Sequence, residues 1–254
     1  MASVHELIVL TGASRGMGRA MASQLLARGG VRLLCLSRGI DATLETEAAA
    51  AGSEVLQWSA DLADPLPVAE RLAAWLAAQD ASALGRAVLI NNAGTVGRTA
   101  PLARASLGEL SAALRVGLEA ALLLTSAFLS ATAGWSMPRQ VLNISSGLGR
   151  NAMGSQAPYC AAKAGMDHFS RAVALEEAEE GGARIVSLAP GVIDTDMQIA
   201  LRSADAALFP DRGRFEALHR NGQLDSPESA ARKVLAWLER PDFGAQPVGD
   251  VRQG

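Results

Sequence analysis

Short apolar runs alternate with amphipathic stretches along most of this 254-residue chain. Residues 7–11, 32–37, 54–59, 87–91, 140–145, 184–188 and 249–251 read as strands. The stretches 16–28, 42–51, 65–80, 107–132, 157–180 and 227–239 carry helical patterns. Nearly continuous apolar strands separated by helices predict a parallel sheet covered on both faces. The expected fold class is therefore α/β, a single-domain doubly wound sheet of Rossmann type with about seven strands. No internal repeat, linker or domain boundary interrupts the pattern. Residues 198–223 are irregular, with Pro210, Gly213 and Gly222 among polar positions. Loops of this length are commonly functional, so a substrate lid is preferred there over plain surface.

Composition adds exclusions. The net charge of −3 argues against nucleic acid or an anionic membrane as the main partner. The most apolar segment, residues 118–129, is too short to span a bilayer, and no secretory signal opens the chain. A cytoplasmic protein is expected. Cys35 and Cys160 form neither a disulfide framework nor a metal motif, so no metal is expected.

Chemistry enters at the one tyrosine, Tyr159, with Lys163 four residues later. On a helix that spacing places both on one face. A nearby ammonium favours the phenolate and lowers a pKa that is ordinarily about 10. Such a tyrosine can act as a general acid or base. His168 lies off that face and is read as structural or solvated. At the other end, Thr11 precedes Gly12, Ser14, Arg15, Gly16, Met17 and Gly18, between a strand and a helix. Glycines there allow a phosphate to approach backbone N–H groups at a helix N-terminus. The spacing is T-G-x-x-x-G-x-G rather than the commoner G-x-G-x-x-G.

With both motifs in view, the chain resembles the short-chain dehydrogenase/reductase family over nearly its full length. Thr11 to Gly18, Asn91 to Gly94, Asn143 to Ser146, Tyr159 to Lys163, and Pro190, Gly191, Val192, Thr195 and Met197 carry the match. The segments 214–218 and 222–227 narrow it to the sepiapterin reductase and benzil reductase branch. The resemblance implies a catalytic Ser146, Tyr159 and Lys163. Tyr159 would protonate a carbonyl oxygen that Ser146 also contacts, and Lys163 would hold the nicotinamide ribose. Ser145 would face the core, because strand residues alternate. Asp61 and Leu62 would meet the adenine; Asn92, Ala93 and Gly94 would pass beneath its ribose. Pro190, Gly191, Val192, Thr195 and Met197 would position the nicotinamide and diphosphate. The family's usual tetrad asparagine is replaced by Gly117, so a triad is expected.

Ser37 and Arg38 end the second strand with no acid between them, and Arg15 adds a second positive charge. That points to NADP(H), whose 2′-phosphate suits arginine, over NAD. Asp250 reads equally as an anchor for a pterin-like ring or as a solvated strand end. The implied activity is NADPH-dependent reduction of a small carbonyl substrate, a vicinal dicarbonyl for preference, by a homodimer. A 3-oxoacyl-carrier-protein reductase, another short-chain alcohol dehydrogenase or a non-catalytic NADP sensor are the alternatives.

Overall fold

The computed structural model describes residues 4–179 and 181–253. Seven strands form one parallel sheet: β1 (Glu6–Thr11), β2 (Val31–Ser37), β3 (Glu54–Ser59), β4 (Arg86–Asn91), β5 (Arg139–Ile144), β6 (Arg184–Ala189) and β7 (Val248–Asp250). Their order across the sheet is β3-β2-β1-β4-β5-β6-β7. The chain winds outward from β1 one way and from β4 the other, so the switch point lies between these two strands. In open α/β sheets the ligand crevice forms at such a point, beyond the strands' carboxyl ends.

Helices cover both faces, which is why the strands read as unbroken apolar runs. One face packs against α1 (Gly16–Leu26), α2 (Thr43–Ala51) and α9 (Pro227–Leu238), with Met21, Leu25, Val234 and Leu235 against Ile8, Leu10 and Val88. The other packs against α3 (Pro65–Ala77), α5 (Ala120–Ala131) and α6 (Ala157–Glu176), with Leu72, Leu124 and Phe128 against Val9, Leu89 and Val141. Helix starts follow local chemistry. Ser106 and Glu109 form a reciprocal capping box at α4 (Leu107–Leu114), and Ser226 caps α9 ahead of Pro227.

Four sequence expectations are corrected. First, residues 198–223 are not irregular. They hold α7 (Asp196–Arg202) and α8 (Arg212–Arg220), clamped by a small core of Leu201, Phe209 and Phe215. Short helices separated by Pro210 and rich in arginine give little periodicity to read. Second, the segment Leu107–Ala131 is one continuous helical path of 25 residues, long and apolar enough to cross a membrane by length and composition. The helical stretch expected at 107–132 is thus found, but the expectation that no apolar stretch reaches the length of a membrane span, drawn from residues 118–129 alone, is not met. Here its inner face, Ala120, Leu124 and Phe128, lies in the sheet's core. Third, that path is not uniform: Arg115–Glu119 form a π turn around Gly117. Fourth, the helix expected to reach position 180 ends at Glu176, and position 180 lies outside the described residues.

Candidate active site

The glycine loop leaves β1 at the switch point and enters α1. Gly12 and Gly16 have φ of 72° and 54°, left-handed values that favour glycine. A Cβ on Gly12 would lie 3.0 Å from Asn92 Nδ2, and one on Gly18 only 2.0 Å from the Gly12 carbonyl oxygen. The loop is therefore folded tightly on itself. Thr11 ties it to the segment after β4, because the backbone N–H groups of Asn92 and Ala93 both donate to Thr11 Oγ1 at 2.9 Å. Asn92 Nδ2 donates to the Thr11 carbonyl at the same distance. This is a cradle that fits a diphosphate at the N-terminus of α1, where N–H groups are unpaired.

At the edge of the cradle Arg38 is exposed, beside Gly39, and Ser14 packs against Gly39 at 3.7 Å from an added Cβ. Among the described residues no carboxylate pairs with Arg38. Arg15 is engaged differently. Its guanidinium reaches across to Asp196 at 3.0 Å, and Thr195 stands against Gly16. The two arginines expected to act together are thus separated by a competing carboxylate at the start of α7. Met17 and Leu62, placed at the ligand by the sequence, are buried in the two cores, so only their backbones can face a cofactor. Asp61 is exposed beyond β3, and its carboxylate accepts from the Ala63 N–H at 3.0 Å. Pro190 is buried. Gly191 has a φ of 85° under Val251, and Val192 accepts from the Asp225 N–H at 2.9 Å. Met197 is half-buried at the start of α7.

Ser146, Tyr159 and Lys163 come together beyond the end of β5. Ser146 starts a 3-10 turn, Gly147–Gly149, and Tyr159 and Lys163 share one face of α6. Lys163 is 3% exposed; its Nζ donates to the Ile144 carbonyl at 2.6 Å and lies 5.7 Å from the centre of the Tyr159 ring. Burial draws the Lys163 pKa down to about 8, and the Asp167 charge opposes that fall. Tyr159 departs from expectation. Burial raises its pKa, and a hydrogen bond with Ser146 offsets only part of the rise. Lys163 does not lower it here, because the ammonium is turned toward the Ile144 carbonyl.

Ser145 faces inward, as alternation requires, and meets a residue the sequence reading passed over. Asp167 is 1% exposed and accepts from Ser145 Oγ at 2.6 Å, Ser187 Oγ at 2.7 Å and Arg150 Nε at 3.1 Å. It stands four residues after Lys163, a carboxylate on the buried face of α6. That spacing was a readable signal. Deeper, Asn91 Nδ2 donates to Asn143 Oδ1 at 2.8 Å, and Asn143 Nδ2 donates to Ser170 Oγ at 2.9 Å. This ladder fastens β4, β5 and α6 to one another.

Gly117 sits in the π turn facing α6, where an added Cβ would lie 3.0 Å from the Ala162 Cβ. Gly165 answers it from α6, where an added Cβ would lie 2.9 Å from Leu118 Cδ2. Two glycines therefore bring the long helix close behind Lys163. His168 is exposed, off the face that carries Tyr159 and Lys163. Asp250 is not a solvated strand end: it is 3% exposed, and Arg252 holds it through Nε at 2.8 Å and Nη2 at 2.5 Å. Arg252 lowers the Asp250 pKa by donating these bonds. The described residues contain no cluster able to hold a metal ion.

Known proteins are similar to this chain. Benzil reductase ((S)-benzoin forming) of Bacillus cereus is 35% identical over 245 residues, covering 96% of this chain and 97% of that protein. Sepiapterin reductase of Meriones unguiculatus is 36% identical, covering 92% of each. The crystal structure of a putative 2-deoxy-d-gluconate 3-dehydrogenase from Agrobacterium tumefaciens, with bound NADP, superposes with a TM-score of 0.78 at 26% identity, over 98% of this chain and 96% of that one. The short chain dehydrogenase family profile matches residues 6–206, and with the cradle, the Ser146–Tyr159–Lys163 cluster and these relatives it shows that the chain belongs to that family of oxidoreductases.

Proposed function

We propose that the protein is an NADPH-dependent carbonyl reductase acting on one carbonyl of a small vicinal dicarbonyl, with Ser146, Tyr159 and Lys163 as its catalytic residues. The observation that carries this reading is the convergence of those three side chains at the crevice beside the glycine cradle. Relatives of about this similarity that reduce benzil and sepiapterin favour adjacent dicarbonyls.

Gly12, Ser14, Gly16 and Gly18 would hold the diphosphate, with Arg38 on the 2′-phosphate. Asn92, Ala93, Gly94, Pro190, Gly191, Val192, Thr195 and Met197 would line the rest of the cofactor path. NADPH, when bound, supplies the hydride. The protein's part is orientation and proton management. Ser146 donates a hydrogen bond to the carbonyl oxygen where negative charge develops. Tyr159, its pKa raised by burial, holds the proton that this oxygen takes up. Lys163, still an ammonium below pH of about 8, would hold the nicotinamide ribose.

The helices of residues 196–220, held together by the buried Leu201, Phe209 and Phe215, would form the lid over the substrate. Leu107, Leu114 and Leu122 are exposed on the long helix, and we place a two-fold homodimer contact there. A cytoplasmic location belongs to the same reading, and cell fractionation tests it. Steady-state assays with NADPH against diketones, a pterin diketone, simple ketones and acyl-carrier thioesters test the activity. Turnover confined to the thioesters or monoketones would overturn the substrate assignment. A monomer by sedimentation at micromolar concentration would overturn the dimer.

A further inference from the structure

The C-terminal turn after β7 carries a charge arrangement that the sequence reading did not foresee. Asp250 is buried and doubly held. Its Oδ1 accepts from the Arg252 backbone N–H at 3.0 Å and from Arg252 Nε at 2.8 Å, and its Oδ2 accepts from Nη2 at 2.5 Å. Arg150 stands behind it, Nη1 at 3.9 Å from Oδ2, with its Nη2 bonded to the Gly249 carbonyl at 2.9 Å and its Nε to Asp167. The carboxylate thus has a cation on each side. The outer cation is different in kind: the Arg252 side chain is 60% exposed.

Its position matters. An added Cβ on Gly147, the residue after Ser146, would lie 3.9 Å from Arg252 Nη2. Val251 packs over Gly191 in the same turn, at 3.7 Å from an added Cβ. The turn therefore reaches over the loop that carries Ser146. Asp250 accepts from only part of the guanidinium's fork, and the remaining N–H groups have no acceptor of their own on that carboxylate. The fork is fixed in place by a buried partner and open on its outer edge. A preorganised arginine suits a planar oxygen acceptor, and loses little freedom in binding one.

We propose that Arg252 is a specificity-determining residue that receives the second oxygen of the substrate while the first carbonyl lies at Ser146 and Tyr159. The substrate class is a carbonyl compound bearing an adjacent oxygen acceptor, with a 2-oxo carboxylate held more tightly than a neutral diketone. Ligands that offer ring amine donors meet a carboxylate already occupied. This inference rests on the carbonyl-reductase reading of the same site.

The test compares the unmodified holoprotein with Arg252→Met and Arg252→Lys, each with NADPH, on phenylglyoxylate, benzil and acetophenone. Charged hydrogen bonds of this kind correspond to about ten- to a hundredfold in affinity, so Arg252→Met should raise KM by that order for phenylglyoxylate. Benzil should lose less, and acetophenone, with no second acceptor, should keep its kcat/KM within about twofold. Arg252→Lys should recover part of the phenylglyoxylate loss. NADPH affinity by fluorescence titration should be the same in all three proteins, which separates a binding role from misfolding. Equal losses on all three substrates, or no loss on phenylglyoxylate, would overturn the proposal while leaving the reductase reading intact. Failure of the unmodified protein to reduce any of the three would overturn both.

Discussion

Lys163 Nζ donates a 2.6 Å hydrogen bond to the carbonyl of Ile144, two residues before Ser146. The contact ties the cation on α6 to the end of β5, and so fastens the Tyr159 helix to the strand that leads into Ser146. Tyr159→Phe removes the proton donor and leaves this tie in place. The expected result is a loss of about 10²–10⁴ in kcat with little change in NADPH affinity. Lys163→Ala removes the tie as well, and should weaken both kcat and cofactor binding. Stopped-flow reduction and fluorescence titration measure the two effects separately. Wild-type rates in Tyr159→Phe would show that the proton comes from elsewhere.

The pH profile should report Lys163. Its pKa is about 8 because burial disfavours the ammonium, whereas the Tyr159 pKa is shifted upward and the phenol keeps its proton in that range. Reduction needs both protons in place. Hence kcat/KM should fall as pH rises through about 8, where Lys163 deprotonates first. Asp167 supports the ammonium, so Asp167→Asn should move this limb to lower pH. A limb near the ordinary lysine value of 10.5 would contradict the assignment.

Cofactor choice should rest on Arg38 rather than on Arg15, because Asp196 already engages Arg15. Arg38→Asp is expected to weaken or reverse the preference for NADPH over NADH. Asp196→Ala, which frees Arg15, should leave that preference in place or strengthen it. Ratios of kcat/KM for the two cofactors decide the matter, and equal ratios in the unmodified protein would sink the idea.

Gly117→Asn brings a side chain to a position where even a Cβ stands 3.0 Å from the Ala162 Cβ. Overpacking of this kind costs about 1–3 kcal/mol. A lower denaturant midpoint is expected, with partial recovery in the Gly117→Asn, Ala162→Gly double variant. Unchanged stability in the single variant would mean that α6 gives way freely.

The fold was legible because seven apolar runs, buried on both faces, alternate with amphipathic helices. Every strand fell within about one residue of its expected bounds, as alternation of this regularity allows. The placement of Tyr159 beside Lys163 and the folded glycine loop were legible because Tyr159 to Lys163 and Gly12 to Gly18 are local in sequence. Asp250, Arg252, Arg150 and Asp167 were not read as a set, since pairing across four elements leaves no local spacing. The Arg15–Asp196 pair was hidden for the same reason: 181 positions separate its partners. The upward shift of Tyr159 followed from burial and from where Lys163 points, and neither is written in a four-residue interval.

The buried Asn91–Asn143–Ser170 ladder joins the sheet to α6, whereas the helices of residues 196–220 pack around a small cluster of Leu201, Phe209 and Phe215. The two are joined where Ser155 Oγ, four residues before Tyr159, donates to the Leu208 carbonyl at 2.6 Å, and where Met153 packs against the same cluster. A segment of different outline grafted over residues 196–220 would therefore have to keep that tie to leave the start of α6 undisturbed.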